Sequence, residues 1–113
     1  MELTPVSDPA ERRAVTEAMA STGVQVSSIE AGHPHGPALP DREGEELEAN
    51  VALTERAIRQ AAEWGAESVL VVSGRIDAET PAEVSWARSA EVLATRLVPL
   101  AEDLGVSIGI ENT

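Results

Sequence analysis

Near the C-terminal end of the chain, apolar residues alternate with small or polar ones along Val106-Ser107-Ile108-Gly109-Ile110-Glu111. A period of two is that of a strand. It places Val106, Ile108 and Ile110 on one face and Ser107, Gly109 and Glu111 on the other. Val24 to Glu30 predicts a second strand. Ser68-Val69-Leu70-Val71-Val72-Ser73 is a continuous apolar run, the pattern of a parallel strand covered on both faces.

Between these runs the period lengthens to that of a helix. Asp8 before Pro9, with Glu11 following, has the grammar of a helix start: a capping acid, a proline at the first helical position and an acid that reaches back. Ala14, Val15, Ala18 and Met19 form a weak apolar stripe that Gly23 ends. Glu45 to Trp64 carries Leu47, Val51, Thr54, Ile58 and Ala61 on one stripe. Its acids crowd the beginning and Arg56 and Arg59 lie nearer the end, the sense the helix dipole favours. Glu55 and Arg59 are spaced for an i,i+4 ion pair. A third helix starts at Thr80-Pro81-Ala82-Glu83 and carries Trp86, Ala90, Leu93, Leu97, Leu100 and Leu104 as its core stripe. Pro99 interrupts it, so a kink or restart is expected there.

The terminating glycines Gly23, Gly65 and Gly105 are spaced by 42 and 40 residues. The unit helix, glycine, strand is thus repeated. Strands alternating with helices give parallel strands joined by right-handed crossovers. Glu2-Leu3 reads as the tail of a fourth strand. Ala31 to Gly44 is a long loop containing Pro34, Pro37, Pro40 and both histidines, His33 and His35; connections of this length are often functional.

At 113 residues the chain suffices for one small domain. It has no Lys, no Phe, no Tyr and no Cys, and its formal net charge is −12. The core is therefore aliphatic, and neither disulfides nor thiolate metal sites are available. So acidic a surface repels phosphate backbones and anionic membranes, which argues against a nucleic-acid or membrane partner. No apolar run has the length of a membrane span and no leader pattern stands at the start, so a soluble cytoplasmic protein is expected.

Candidate chemistry collects where strands end. Open α/β sheets and barrels place their sites at the carboxyl ends of their strands. Glu111 closes the last strand; it is either a working carboxylate or a solvated acid. Glu30 closes the second strand, and two such carboxylates on adjacent ends could share a proton or a cation. Ser73-Gly74 offers a close backbone approach but lacks the other glycines and the Lys of a phosphate loop. His33 and His35 have no third ligand at metal spacing. Asp41 to Glu48, with five acids and one Arg, reads as a solvated helix start. Trp64 and Trp86 read as packing residues.

Taken in order, Val24-Gln25-Val26-Ser27-Ser28-Ile29, Ala57 to Val72, Trp86, and Leu93 to Asn112 with its closing strand-Glu-Asn resemble the sugar phosphate isomerase/epimerase family, the xylose-isomerase-like TIM barrels. The resemblance covers nearly all of the chain. It implies one partial (β/α)8 barrel domain over residues 1–113, about strands two to five with three intervening helices, its parallel sheet lined by Glu111. It also implies that Glu111 is the metal-binding and catalytic glutamate at the end of the fifth strand. An Asp, a His and a second Glu from later strands complete such a site around Mn²⁺, Co²⁺ or Mg²⁺. The cation holds two substrate oxygens while the glutamates move a proton through an enediolate-like intermediate. Glu30, His33 and Ser73 become candidates on the substrate side. Many relatives have His where Glu30 and Ser73 stand, which disfavours the endonuclease branch.

The implied substrate is a sugar or sugar phosphate. The sequence stops two residues after Glu111, and one carboxylate cannot cage a divalent ion, so this chain by itself is expected to be incomplete and inactive. Half a barrel leaves open strand edges, which implies a homo-oligomer or a complementing chain. The alternative is a non-catalytic α/β binding or interaction module. A doubly wound nucleotide-binding domain is disfavoured by the lack of a Gly-rich first turn.

The charge balance generates one prediction of its own. Screening relieves self-repulsion, so the melting temperature should rise along a sodium chloride series; a melting temperature indifferent to salt would remove the argument.

Overall fold

The computed structural model describes residues 9–31, 45–72, 78–79 and 81–111. In chain order the elements are α1 (Pro9–Thr22), β1 (Ser28–Ala31), α2 (Glu45–Trp64), β2 (Ser68–Val72), α3 (Ala82–Val92), a π turn (Leu93–Leu97), α4 (Val98–Leu104) and β3 (Ser107–Glu111). The strands form one sheet in the order β1-β2-β3, and both pairings are parallel. Strands alternate with helices in one parallel sheet, as the sequence pattern predicts, and the arrangement agrees with the partial barrel that the resemblance implies. The suggested strand tail at Glu2-Leu3 and the cap at Asp8 lie outside the described residues.

Three residues end their helices as expected. Gly23, Gly65 and Gly105 have φ of +74°, +73° and +70°, a left-handed conformation that a Cβ disfavours. After Gly105, Val106 N–H donates to the Ala101 carbonyl at 2.9 Å, and the chain turns directly into β3.

The core lies between the helices and one face of the sheet. Ile29 and Ala31 of β1, Val69 and Val71 of β2, and Val106 before β3 are buried with Val51, Ala57, Ile58 and Ala61 of α2. Val92, Leu97 and Ala101 close the other side. The α2 stripe read from the sequence is the buried one: Val51, Thr54, Ile58 and Ala61 are completely buried. Thr54 is tolerated there because its hydroxyl donates to the Asn50 carbonyl at 2.9 Å. α1 lies outside this core and has no buried residue. Trp64 ties it to α2, its indole N–H donating to Thr16 Oγ1 at 3.2 Å.

Several details differ from the sequence reading. The first described strand starts at Ser28 rather than Val24, because pairing with β2 begins at the Ser28–Ser68 register; Val24 is left exposed. It also continues to Ala31, so Glu30 is its penultimate residue. Glu55 does not serve Arg59. The Arg96 guanidinium takes it, Nη2 lying 3.0 Å from Glu55 Oε1 while Nη1 meets Glu48 Oε2 at 2.9 Å. One planar fork spans two carboxylates two turns apart on α2 and fixes the third helical rod against it. The hydrogen bond to Glu48 foremost, then those to Glu55, hold the Arg96 guanidinium above its ordinary pKa.

The expected interruption near Pro99 takes the form of a π turn. Pro99 has no N–H, and in an α-helix its ring would crowd the carbonyl four residues back. The wider turn just upstream removes the conflict: Val98 N–H donates to the Leu93 carbonyl, five residues back. The helix restarts at Val98 with Pro99 in its first turn. Upstream of the turn the stripe is rotated. Ser85, Ser89 and Val92 are buried, whereas Trp86 is 80% exposed. The packing role expected of Trp86 is thereby corrected.

Burial sorts two substitutions sharply. Ile58→Ala should lower the unfolding free energy by about 2–5 kcal/mol, through lost transfer energy and the cavity left. Trp86→Ala should change it by no more than about 0.5 kcal/mol. Urea titrations of the two variants check the contrast.

Candidate functional site

Side chains of a strand alternate between faces, so the register decides which residues share a surface. The rows Ile29–Val69–Ile108 and Ala31–Val71–Ile110 face the helices. The intervening rows are Ser28–Ser68–Ser107, Glu30–Leu70–Gly109 and Val72–Glu111. They occupy the face that no described helix covers. In a closed barrel of parallel strands this is the inner face.

Glu111 ends β3 at the carboxyl end of the sheet, on this helix-free face, and is exposed. Its neighbour in register is Val72, the last residue of β2. One layer below, Gly109 lies beside Leu70, and Leu70 Cδ1 stands 3.7 Å from where a Cβ on Gly109 would be. That is ordinary van der Waals contact. Leu70 and Gly109 therefore form a low apolar floor beneath the carboxylate.

Glu30 is on the same face and exposed, but two strands away and one layer down. Strand spacing and rise put the two Cα positions about 12 Å apart. Side chains stand roughly perpendicular to a sheet, so the two carboxylates run side by side. They share a face at that separation. His33, His35 and Ser73 lie outside the described residues, as do Asp41 to Gly44 and Gly74.

The chemistry of Glu111 suits a hard divalent cation, which takes carboxylate oxygens. Among the described residues no three His, Cys, Asp or Glu side chains come together to hold one. Glu111 thus offers such an ion one carboxylate, with no further ligand gathered beside it among the described residues. No described helix is long and apolar enough to cross a membrane.

Sequence reasoning did not anticipate the Arg96 clamp, the exposure of Trp86 or the Leu70–Gly109 contact. The first had a signal. The acid pair Glu48 and Glu55, one heptad apart on α2, offers a cross-helix cation two sites on one face. The exposure of Trp86 had no such signal, since its stripe through Ala90, Leu93 and Leu97 has α-helical spacing.

The model for xylose isomerase-like TIM barrels matches residues 2–113. Among solved structures, a D-tagatose 3-epimerase-like protein superposes with a TM-score of 0.77 at 23% identity, covering 94% of this chain and 39% of that chain. The 3-keto-D-glucoside 4-epimerase from E. coli, in its apo form, superposes with a TM-score of 0.68 at 20% identity, covering 89% of this chain and 41% of that one. The chain spans about two fifths of the length of these structures. No curated protein matches.

An exposed strand end contributes little to folding. Glu111→Gln should therefore shift the unfolding free energy by no more than about 0.5 kcal/mol. A denaturation midpoint well below that of the parent would show that the carboxylate has a structural partner instead.

Proposed function

The chain belongs to the family of xylose isomerase-like TIM barrels, and from that premise we propose that it is part of a sugar isomerase or epimerase in which Glu111 works at the carboxyl rim. The single observation behind this reading is the position of Glu111: last residue of an outer parallel strand, on the helix-free face, above an apolar floor. A carboxylate so placed can take a proton from a sugar carbon next to a carbonyl and return it, the step that isomerisation and epimerisation share. The substrate is a sugar or sugar phosphate, in keeping with the epimerases that share the fold. A divalent cation such as Mn²⁺, Co²⁺ or Mg²⁺, when bound, would polarise the substrate's oxygens. Glu111 would give it one oxygen ligand. Glu30, His33 and Ser73 are the substrate-side candidates.

β1 and β3 are the outer strands among the described residues, and unpaired strand edges accept further strands. The reading has them completed by the remaining barrel strands, from a second copy or a complementing chain. This chain alone is then a single partial domain without turnover, acting in the cytoplasm once assembled.

The test uses the assembled protein with Mn²⁺ and a ketohexose such as D-tagatose, in deuterated water. Proton NMR should show loss of the carbon-bound hydrogen beside the carbonyl. Glu111→Gln should slow that exchange by about 10²–10⁴-fold, and a chelator should abolish it until Mn²⁺ is restored. Exchange at the parental rate in Glu111→Gln would refute the role given to this residue.

A further inference from the structure

α3, the π turn and α4 form one continuous helical rod, and its sequence supports two registers. In the observed register the inward residues are Ser85, Ser89 and Val92 upstream, then Leu97 and Ala101 downstream. An uninterrupted α-helix would carry the upstream face on to Arg96, not Leu97. The five-residue step from Val92 to Leu97 is absorbed by the π turn.

The chain also holds a second stripe that needs no π turn. Trp86, Ala90, Leu93, Leu97, Leu100 and Leu104 follow three-four spacing throughout. Downstream, both registers share Leu97, which is buried, and Leu100, which packs on the core. They differ by one residue upstream, a rotation of α3 by about 100°. In the observed register the large indole of Trp86 is in solvent while two serines are buried. In the other, Trp86 and Ala90 would turn inward and Ser85 and Ser89 outward. Burial of apolar surface favours the second arrangement.

Two local features favour the first. In continuous α geometry the Pro99 ring would crowd the Thr95 carbonyl. And Arg96, inside the π turn, is gripped by Glu48 and Glu55 of α2, with Nη1 at 2.9 Å from both Glu48 oxygens and Nε at 3.1 Å from Glu55 Oε1. The Thr95 hydroxyl donates to the Glu91 carbonyl at 2.7 Å, an i−4 bond that either register allows. Opposed preferences separated by a one-residue shift are what a bistable element consists of.

We propose that α3 is a register switch: the π turn at Leu93–Leu97, latched by Arg96 and Pro99, exchanges with a continuous α-helix, and the exchange carries Trp86 between solvent and the protein's inner side. α3 follows β2 in the chain, and β2 ends in register beside Glu111.

The experiment labels the full chain with 5-fluorotryptophan. Two resonances are expected, that of Trp86 being the one lost in Trp86→Phe. Its shift between light and heavy water reads exposure. In the parent at low salt Trp86 should show the full solvent shift. Arg96→Met and Pro99→Ala should each displace the resonance and diminish the solvent shift, as the latch is released. Deletion of Ala94 removes the extra residue and joins the observed faces without a π turn, so it should keep Trp86 exposed. A Trp86 resonance unchanged in both Arg96→Met and Pro99→Ala would overturn the switch. Should both variants lose their helical circular dichroism, the parent decides through a salt series, since screening weakens the Arg96 pairs. Progressive loss of the solvent shift supports the switch; a shift constant at every salt concentration overturns it.

Discussion

Parallel pairing gives each side chain of the sheet only two directions, and the helices claim one of them. Every other residue of β1, β2 and β3 is committed to the face under α2 and α4, where Ile29, Ala31, Val69 and Val71 are buried. The residues between them have no choice but the opposite face. Glu111 is where it is because Ile108 packs toward the helices and alternation carries Glu111 to the other face. A one-residue slip of β3 would turn Ile108 away from the core and put Gly109 or Ser107 in its place. The same apolar residues that hold the sheet to its helices thus aim the candidate catalytic group.

Much of this was legible in the sequence, because it rests on short-range patterns. Strand period, helix period and the three left-handed glycines suffice for the order of elements and for parallel pairing. The side of the sheet on which Glu111 lies follows from alternation alone. The exact start of β1 was not legible. Val24 and Val26 have strand character, but a strand requires a partner, and β2 offers one only from Ser68. Pairing across 40 residues is a tertiary fact that no local window contains.

The third helical rod shows a different limit. Its apolar stripe is regular enough to specify a continuous helix, yet the structure departs from that stripe above Leu93. The cause is a competition between terms of similar size: burial of Trp86 against the steric demand of Pro99 and the two-carboxylate grip on Arg96. Pattern reading weighs only the first of these. Glu55 illustrates the same point, since its local partner Arg59 has the right spacing but loses to an arginine 41 residues away that also reaches Glu48. Local rules hold until a cross-helix contact satisfies two groups at once.

The account stands or falls on Glu111 facing the interior of a parallel sheet as a ligand for chemistry. The most direct measurement is anomalous diffraction from crystals of the assembled protein grown with Mn²⁺. A manganese peak roughly 2.0–2.6 Å from a Glu111 carboxylate oxygen, on the face away from the helices, is the predicted result. A fully occupied manganese site elsewhere, or a Glu111 side chain turned in among the helices, would contradict it.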